Sequence, residues 1–331
     1  MKLKTEWKIV IALLIILITI LGLLFFKTDI FKRKEETMPN KTPEQIISDK
    51  GIKLVSKENF VNEANTLLEK GYQASEINQI YEYMSSKNIA AILASDYTDL
   101  SEFYQIVNFD FNKINRYRAY QTLEGISMKD VVTRVNLNLD LPFYSTVTEI
   151  TDPSSLTVTV SKYRHLPSTY VPEDLENIPG YNLQLRKVAM DDYQKLIAAS
   201  LLDGLSLIPY STYRSYDYQV KLYNYYLQRD PQSVVDTYSA RPGHSEHQTG
   251  LTIDIRSSSS FDNLTDSDYE WMLNNSYKYG FIIRYPKNSQ NITGYVEEPW
   301  HIRYVGVDVA TKIHEENISL DEYNDLYLTE Y

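Results

Sequence analysis

From about Lys57 to Leu139 the apolar positions recur at three- and four-residue intervals, and this spacing predicts helices. "SEINQIYEYMSS" places Ile77, Ile80, Tyr81 and Met84 on one face. "SKENFVNEANTLLEK" offers Ser56 as N-cap and stops at Gly71, and "SMKDVVTRVNLNL" offers Ser127 as cap. Near Asp152 the pattern changes. "SLTVTVSKY" alternates as a strand does, and "LPSTYVPEDL" reads as a loop. "LQLRKVAMDDYQKLIAASLLDG" is an amphipathic helix closed by Gly204. Strands are then expected at "LSLIPYSTYRS", "GLTIDIRS", "FIIRYP" and "EPWHIRYVG". Between and after them come helices at "YDYQVKLYNYYLQR", "DSDYEWMLNNSYKYG" and, as one piece, "VDVATKIHEENISLDEYNDLY". No regular βαβ spacing appears, so the expected class is α+β with a small antiparallel sheet flanked by helices.

The most apolar stretch lies at the N-terminus, where Ile9 to Phe26 runs eighteen residues without a charge. That is close to the length of a bilayer-spanning helix. The bulky residues after it do not suit a signal peptidase, which predicts an uncleaved signal anchor. Flanking lysines and arginines are nearly balanced, so the positive-inside rule does not orient it. The chain then divides into a tail, transmembrane helix and basic stem (1–36), a mainly helical accessory module (37–155) and a mixed domain (156–331).

A formal charge of -11 and no basic stripe beyond the first 34 residues argue against nucleic acid as a partner. The 331 residues include no cysteine, so disulfides, thiolate nucleophiles and thiolate metal sites are excluded. Any metal must be held by nitrogen and oxygen.

Two of the five histidines fall in "SARPGHSEHQTGLTIDI". In "LTIDIR", Ile253 and Ile255 share one strand face, and Thr252 and Asp254 the other. An aspartate amid β-branched residues needs a partner. His247 lies seven residues earlier, across Gly250, whose missing side chain lets the loop fold against the strand. His301 enters the last strand after Pro299. His247, Asp254 and His301 would give a catalytic zinc two nitrogens and one oxygen, with the fourth position open. His244 competes, since it could pair with His247. Glu298 and His301 would point to opposite faces of an ideal strand. Pro299 cannot donate to a ladder, so a bulge is expected that brings both into one cleft. A carboxylate beside a zinc-bound water can take its proton and deliver it to a leaving amine.

The motifs Ser245-x-His247-x-x-Gly250-x-x-x-Asp254 ("SEHQTGLTID") and Glu298-x-x-His301 ("EPWH") resemble those of the VanY-type zinc D-alanyl-D-alanine carboxypeptidases, relatives of the VanX dipeptidases. The likeness reaches back through "STYRSYDYQ" to about "YVPEDL" and covers roughly the last half of the chain. Thr252 departs from the usual alanine. The resemblance implies a DD-peptidase/hedgehog-like fold for 156–331 and one Zn2+ held by His247, Asp254 and His301. It implies Glu298 as base and acid, and Arg214 as the cation that holds a substrate carbonyl or carboxylate. Gln219 and Ser245 would line the substrate cleft. The substrate it implies is a peptidoglycan stem peptide losing its terminal D-alanine. Because stem peptides lie outside the cell, it also implies a single-pass membrane protein with its catalytic domain facing the wall. An L,D-carboxypeptidase acting on tetrapeptides and an inactive peptidoglycan-binding protein are the alternatives.

Overall fold

A computed structural model describes residues 16–21, 41–258 and 264–328. The apolar run Ile9–Phe26 lies largely outside these residues. Its described part, 16–21, is helical with exposed side chains. No helix among the described residues is long and apolar enough to cross a membrane. The chain forms two compact units, one up to Tyr104 and one from Gln105 to Tyr331. The second unit thus includes 105–155 along with the mixed region.

In the first unit, α1 (Pro43–Asp49), α2 (Phe60–Glu69), α3 (Ala74–Tyr83) and α4 (Ser86–Ala94) bury Ile47, Leu67, Ile77, Ile80 and Ile92. Helix α2 does not start at Ser56. Its N-cap is Asn59, in the left-handed region at φ 64°, because a turn through Lys57 precedes it.

The second unit opens with α5 (Ile114–Glu124) and α6 (Met128–Asn136). Ser127 caps α6 as expected, its hydroxyl accepting from the Asp130 amide. The "SLTVTVSKY" strand does not form. Val158 and Val160 are buried, but the neighbouring carbonyls find side chains instead of a ladder. Arg303 Nη2 donates to the carbonyls of Leu156 (3.0 Å) and Val158 (2.8 Å), and Asn324 Nδ2 donates to that of Thr157 (2.6 Å). Only two-stranded pieces flank this segment: a parallel pair, β1 (Thr148–Glu149) with β2 (Arg164–His165), and an antiparallel pair, β3 (Leu175–Asn177) with β4 (Gln184–Arg186).

The central sheet is antiparallel, in the order β5 (Leu207–Ser211), β6 (Thr252–Ser257), β8 (Glu298–Tyr304), β7 (Phe281–Tyr285). One face is apolar. Ile253, Ile255, Ile302, Leu207 and Phe281 form a single core with Ala189, Met190, Tyr193 and Leu196 of α7 (Lys187–Leu202). Burial of each large aliphatic chain stabilises the layer by about 1.5–3 kcal/mol. The opposite face carries Asp254 and His301, whose Cα atoms are direct cross-strand partners. The period-two pleat therefore sends the core residues one way and the candidate ligands the other. At the chain end, the expected single helix is two, Val307–Glu316 and Leu320–Tyr327. Asn317 breaks it at φ 52°, and a capping box between Ser319 and Glu322 starts the second.

Gly250 closes a 3-10 turn (Glu246–Thr249) at φ +66°. An added Cβ would lie 2.9 Å from both Arg186 Cγ and Leu175 Cδ2. We expect Gly250→Ala to lose about 2–3 kcal/mol, from left-handed backbone strain plus displacement of these side chains. Thermal unfolding of the zinc-free protein checks this; a Tm within a degree of wild type would mean the turn relaxes freely.

Candidate metal centre and catalytic cleft

A cleft of about 210 Å³ opens on the polar side of the sheet. It is lined by all seven residues singled out from the sequence: Arg214, Gln219, Ser245, His247, Asp254, Glu298 and His301.

Backbone geometry places each of them. After β5, the chain is laced to the 3-10 turn by two bonds: the Arg214 amide donates to the His247 carbonyl (3.2 Å), and His247 Nδ1 donates to the Thr212 carbonyl (2.6 Å). Because a carbonyl only accepts, the second bond puts the proton on Nδ1 and leaves the Nε2 lone pair free. That Nε2 lies 3.3 Å from Asp254 Oδ2. On the next strand, His301 Nδ1 lies 3.4 Å from Asp254 Oδ1 and 3.1 Å from Glu298 Oε2. The expected bulge is present. Between Ile283↔Ile302 and Tyr285↔Glu298, β7 advances two residues and β8 four, so Glu298 and His301 reach the same cleft.

One ligand atom from each of His247, Asp254 and His301 falls within a 4.8 Å sphere of mutual distance. The 3.3 Å separation of His247 Nε2 from Asp254 Oδ2 matches the edge of a tetrahedron with metal–ligand bonds of about 2.0–2.1 Å, and His301 Nδ1 approaches the other oxygen of the same carboxylate at 3.4 Å. Asp254 Oδ1 is buried with no hydrogen-bond partner in the protein. The donor set and its spacing fit a mononuclear zinc.

The electrostatics agree. Burial alone would push the Asp254 carboxyl up, but His247, His301 and Arg214 hold it well below the usual carboxylate range. Burial lowers His247. Burial also opposes charge on His301, yet the carboxylates of Glu246, Glu298 and Asp254 raise it to about 9. The field at that imidazole favours a cation.

The remaining expected residues sit around this centre. Arg214 Nη1 is 3.8 Å from Asp254 Oδ2 and 3.2 Å from Ser211 Oγ, while its Nε is buried without a partner. Gln219 Nε2 donates to the Ala240 carbonyl (2.8 Å), leaving a buried, unpartnered Oε1. Ser245 is buried at the start of the 3-10 turn. His244 does not join the metal group. Its Nδ1 meets the Ser161 carbonyl (2.7 Å), its ring packs edge-on to Tyr144, and burial lowers it to about 4. Thr252 is buried on the Asp254 side, its hydroxyl without a protein partner.

Sequence reasoning missed Glu246. It is buried in the wall of the cleft. Its Oε1 pairs with Arg284 Nε (2.7 Å) and Arg303 Nη1 (2.9 Å), and Arg284 Nη1 continues to Asp321 (2.6 Å). Burial raises the Glu246 carboxyl, but the two guanidinium groups outweigh it and hold it well below its ordinary range. A signal existed: "FIIRY" and "HIRY" each set an arginine in an apolar strand, where it needs a buried acidic partner.

A buried His–Asp–His triad with a second carboxylate beside it and a guanidinium in the same cleft is the layout of a metal-dependent hydrolase site. Comparison with known proteins gives its family. Residues 182–307 match the family described as VanY, D-alanyl-D-alanine carboxypeptidase. The chain is 38% identical over 188 residues to YodJ of Bacillus subtilis (strain 168), covering 53% of this chain and 68% of that one. It is 31% identical over 180 residues to VanXYC of Enterococcus gallinarum, a bifunctional D-Ala-D-Ala dipeptidase and D-Ala-D-Ala carboxypeptidase; the match covers 50% of this chain and 92% of VanXYC. Among solved structures, it is similar to the LD-carboxypeptidase LdcB, with a TM-score of 0.50 and 38% identity over 54% of this chain and 89% of LdcB. The chain belongs to the VanY family. It is a hydrolase of the carboxypeptidase class, and its His247–Asp254–His301 group is spaced to hold one metal ion.

Proposed function

We propose that this protein removes the C-terminal D-alanine from peptidoglycan stem peptides, with His247, Asp254 and His301 as zinc ligands. The observation that carries the reading is the convergence of these three side chains with Glu298 and Arg214 in one cleft. A zinc ion held by these three residues would polarise the scissile carbonyl and lower the pKa of a water towards about 7. Glu298, next to His301, takes the proton of the attacking water and returns it to the departing amine. Arg214, with its unpartnered Nε, presents a planar fork to the substrate carbonyl or terminal carboxylate. Gln219 and Ser245 line the same cleft and contact the peptide.

We also propose a single-pass anchor at Ile9–Phe26 with the catalytic domain on the wall side. The uncharged apolar run and the extracellular location of stem peptides support it. The similarity to LdcB favours a second reading, cleavage of the L,D bond of a tetrapeptide.

Incubating the purified full chain with tri-, tetra- and pentapeptide stems, followed by mass spectrometry, tests both readings. The expected result is loss of one D-alanine from the pentapeptide, abolished by chelation and restored by zinc. Cleavage of the tetrapeptide alone would establish the L,D activity. No cleavage by zinc-loaded protein would remove the catalytic proposal.

A further inference from the structure

The cleft's deepest polar atoms include one that the proposed chemistry leaves unused. Glu246 Oε2 is buried without a hydrogen-bond partner, although Oε1 of the same carboxylate holds two guanidinium groups. Facing it at 3.6 Å is His301 Nε2, also buried and unpartnered. The separation is a few tenths of an ångström beyond a hydrogen bond. The other ring nitrogen of His301, Nδ1, is turned to Asp254 and Glu298. The ring is therefore held between two sets of carboxylates.

We infer that Glu246 is a positioning residue, which fixes the tautomer and ring orientation of His301 by accepting a hydrogen bond from its Nε2–H. The inference rests on the proposed ligand set, in which His301 offers Nδ1 to the ion. A neutral imidazole that donates its lone pair from Nδ1 carries its proton on Nε2, and only an acceptor can face that proton. Glu246 is the acceptor at that position. Arg284 and Arg303 occupy its other oxygen, so the carboxylate cannot rotate away without breaking two ion pairs. Metal-bound histidines are commonly oriented by such an outer carboxylate, and losing the partner lowers metal affinity about 10–100-fold.

Glu246→Gln tests this. With the amide oxygen kept on the arginines, its NH2 group would meet the Nε2 proton, donor against donor, and favour the wrong tautomer. Zinc affinity of the full chain is measured by chelator competition, with Asp321→Asn as the control. Asp321 pairs with Arg284 at the far end of the same network and does not touch His301. The expected result is a 10–100-fold weaker zinc affinity for Glu246→Gln and a change under threefold for Asp321→Asn. Equal losses in both variants, or none in Glu246→Gln, would overturn the inference. Should Glu246→Gln fail to fold, 15N NMR of the histidines in the zinc-loaded wild type decides. His301 protonated at Nε2 and protected from exchange supports the role; a proton on Nδ1, or rapid exchange at Nε2, sinks it. Absence of zinc binding by the wild type would defeat the ligand set itself, a different outcome.

Discussion

Glu298→Gln should lower kcat for release of D-alanine from a pentapeptide stem by about 10²–10⁴-fold, with zinc content unchanged. The substitution keeps the shape of the side chain and removes its charge and its ability to accept a proton. Glu298 is not in the buried His–Asp–His group but sits beside it, 3.1 Å from His301 Nδ1 and partly open to the cleft. Loss of metal is therefore not the expected route to inactivity, and metal analysis of the variant separates the two. The uncatalysed background is not reached, because the bound ion and Arg214 still act on the carbonyl and the chain end. Unchanged turnover would mean that another group moves the proton. An inactive wild type that still binds stem peptides would instead favour a wall-binding role.

The sequence made parts of this site legible for identifiable reasons. Pro299 announced the bulge because a residue without an N–H must interrupt a ladder, and the register shift falls between Glu298 and Ile302. Asp254 announced a buried partner because a carboxylate amid Ile253 and Ile255 has no other reason to be there. Pairing of Asp254 with His301 could not be read, since cross-strand register over 47 positions is a tertiary property. "SLTVTVSKY" misled for a related reason. Its alternation is that of a strand, but Arg303 and Asn324, far along the chain, satisfy its carbonyls. Glu246 was hidden between Ser245 and His247, its partners 38 and 57 residues away. Local pattern revealed which residues are costly in place; it did not reveal which distant side chains offset that cost.

That offset makes Arg284→Met the most damaging single change expected outside the cleft. Arg284 is almost fully enclosed and links Glu246 to Asp321. Replacing it with an apolar chain of similar length leaves both carboxylates buried, Asp321 without its cation and Glu246 with Arg303 alone. Breaking a buried pair in this way costs about 3–5 kcal/mol, roughly 6–20 °C in Tm for a unit of this size. Adding Asp321→Leu removes one charge of each sign and should recover part of the loss, so a double-mutant cycle yields the coupling. The pH dependence has a definite sign. Glu246 in the folded protein lies below its ordinary value of 4.5, so its ion pairs add stability above that value, lost as pH falls through the folded one. Without Arg284 the folded carboxyl rises and binds its proton earlier. The stability gap between variant and wild type should therefore narrow as pH falls from 7 towards 4 in thermal unfolding. A gap that is constant with pH would assign the cost to lost packing around Arg284 instead of to stranded charge.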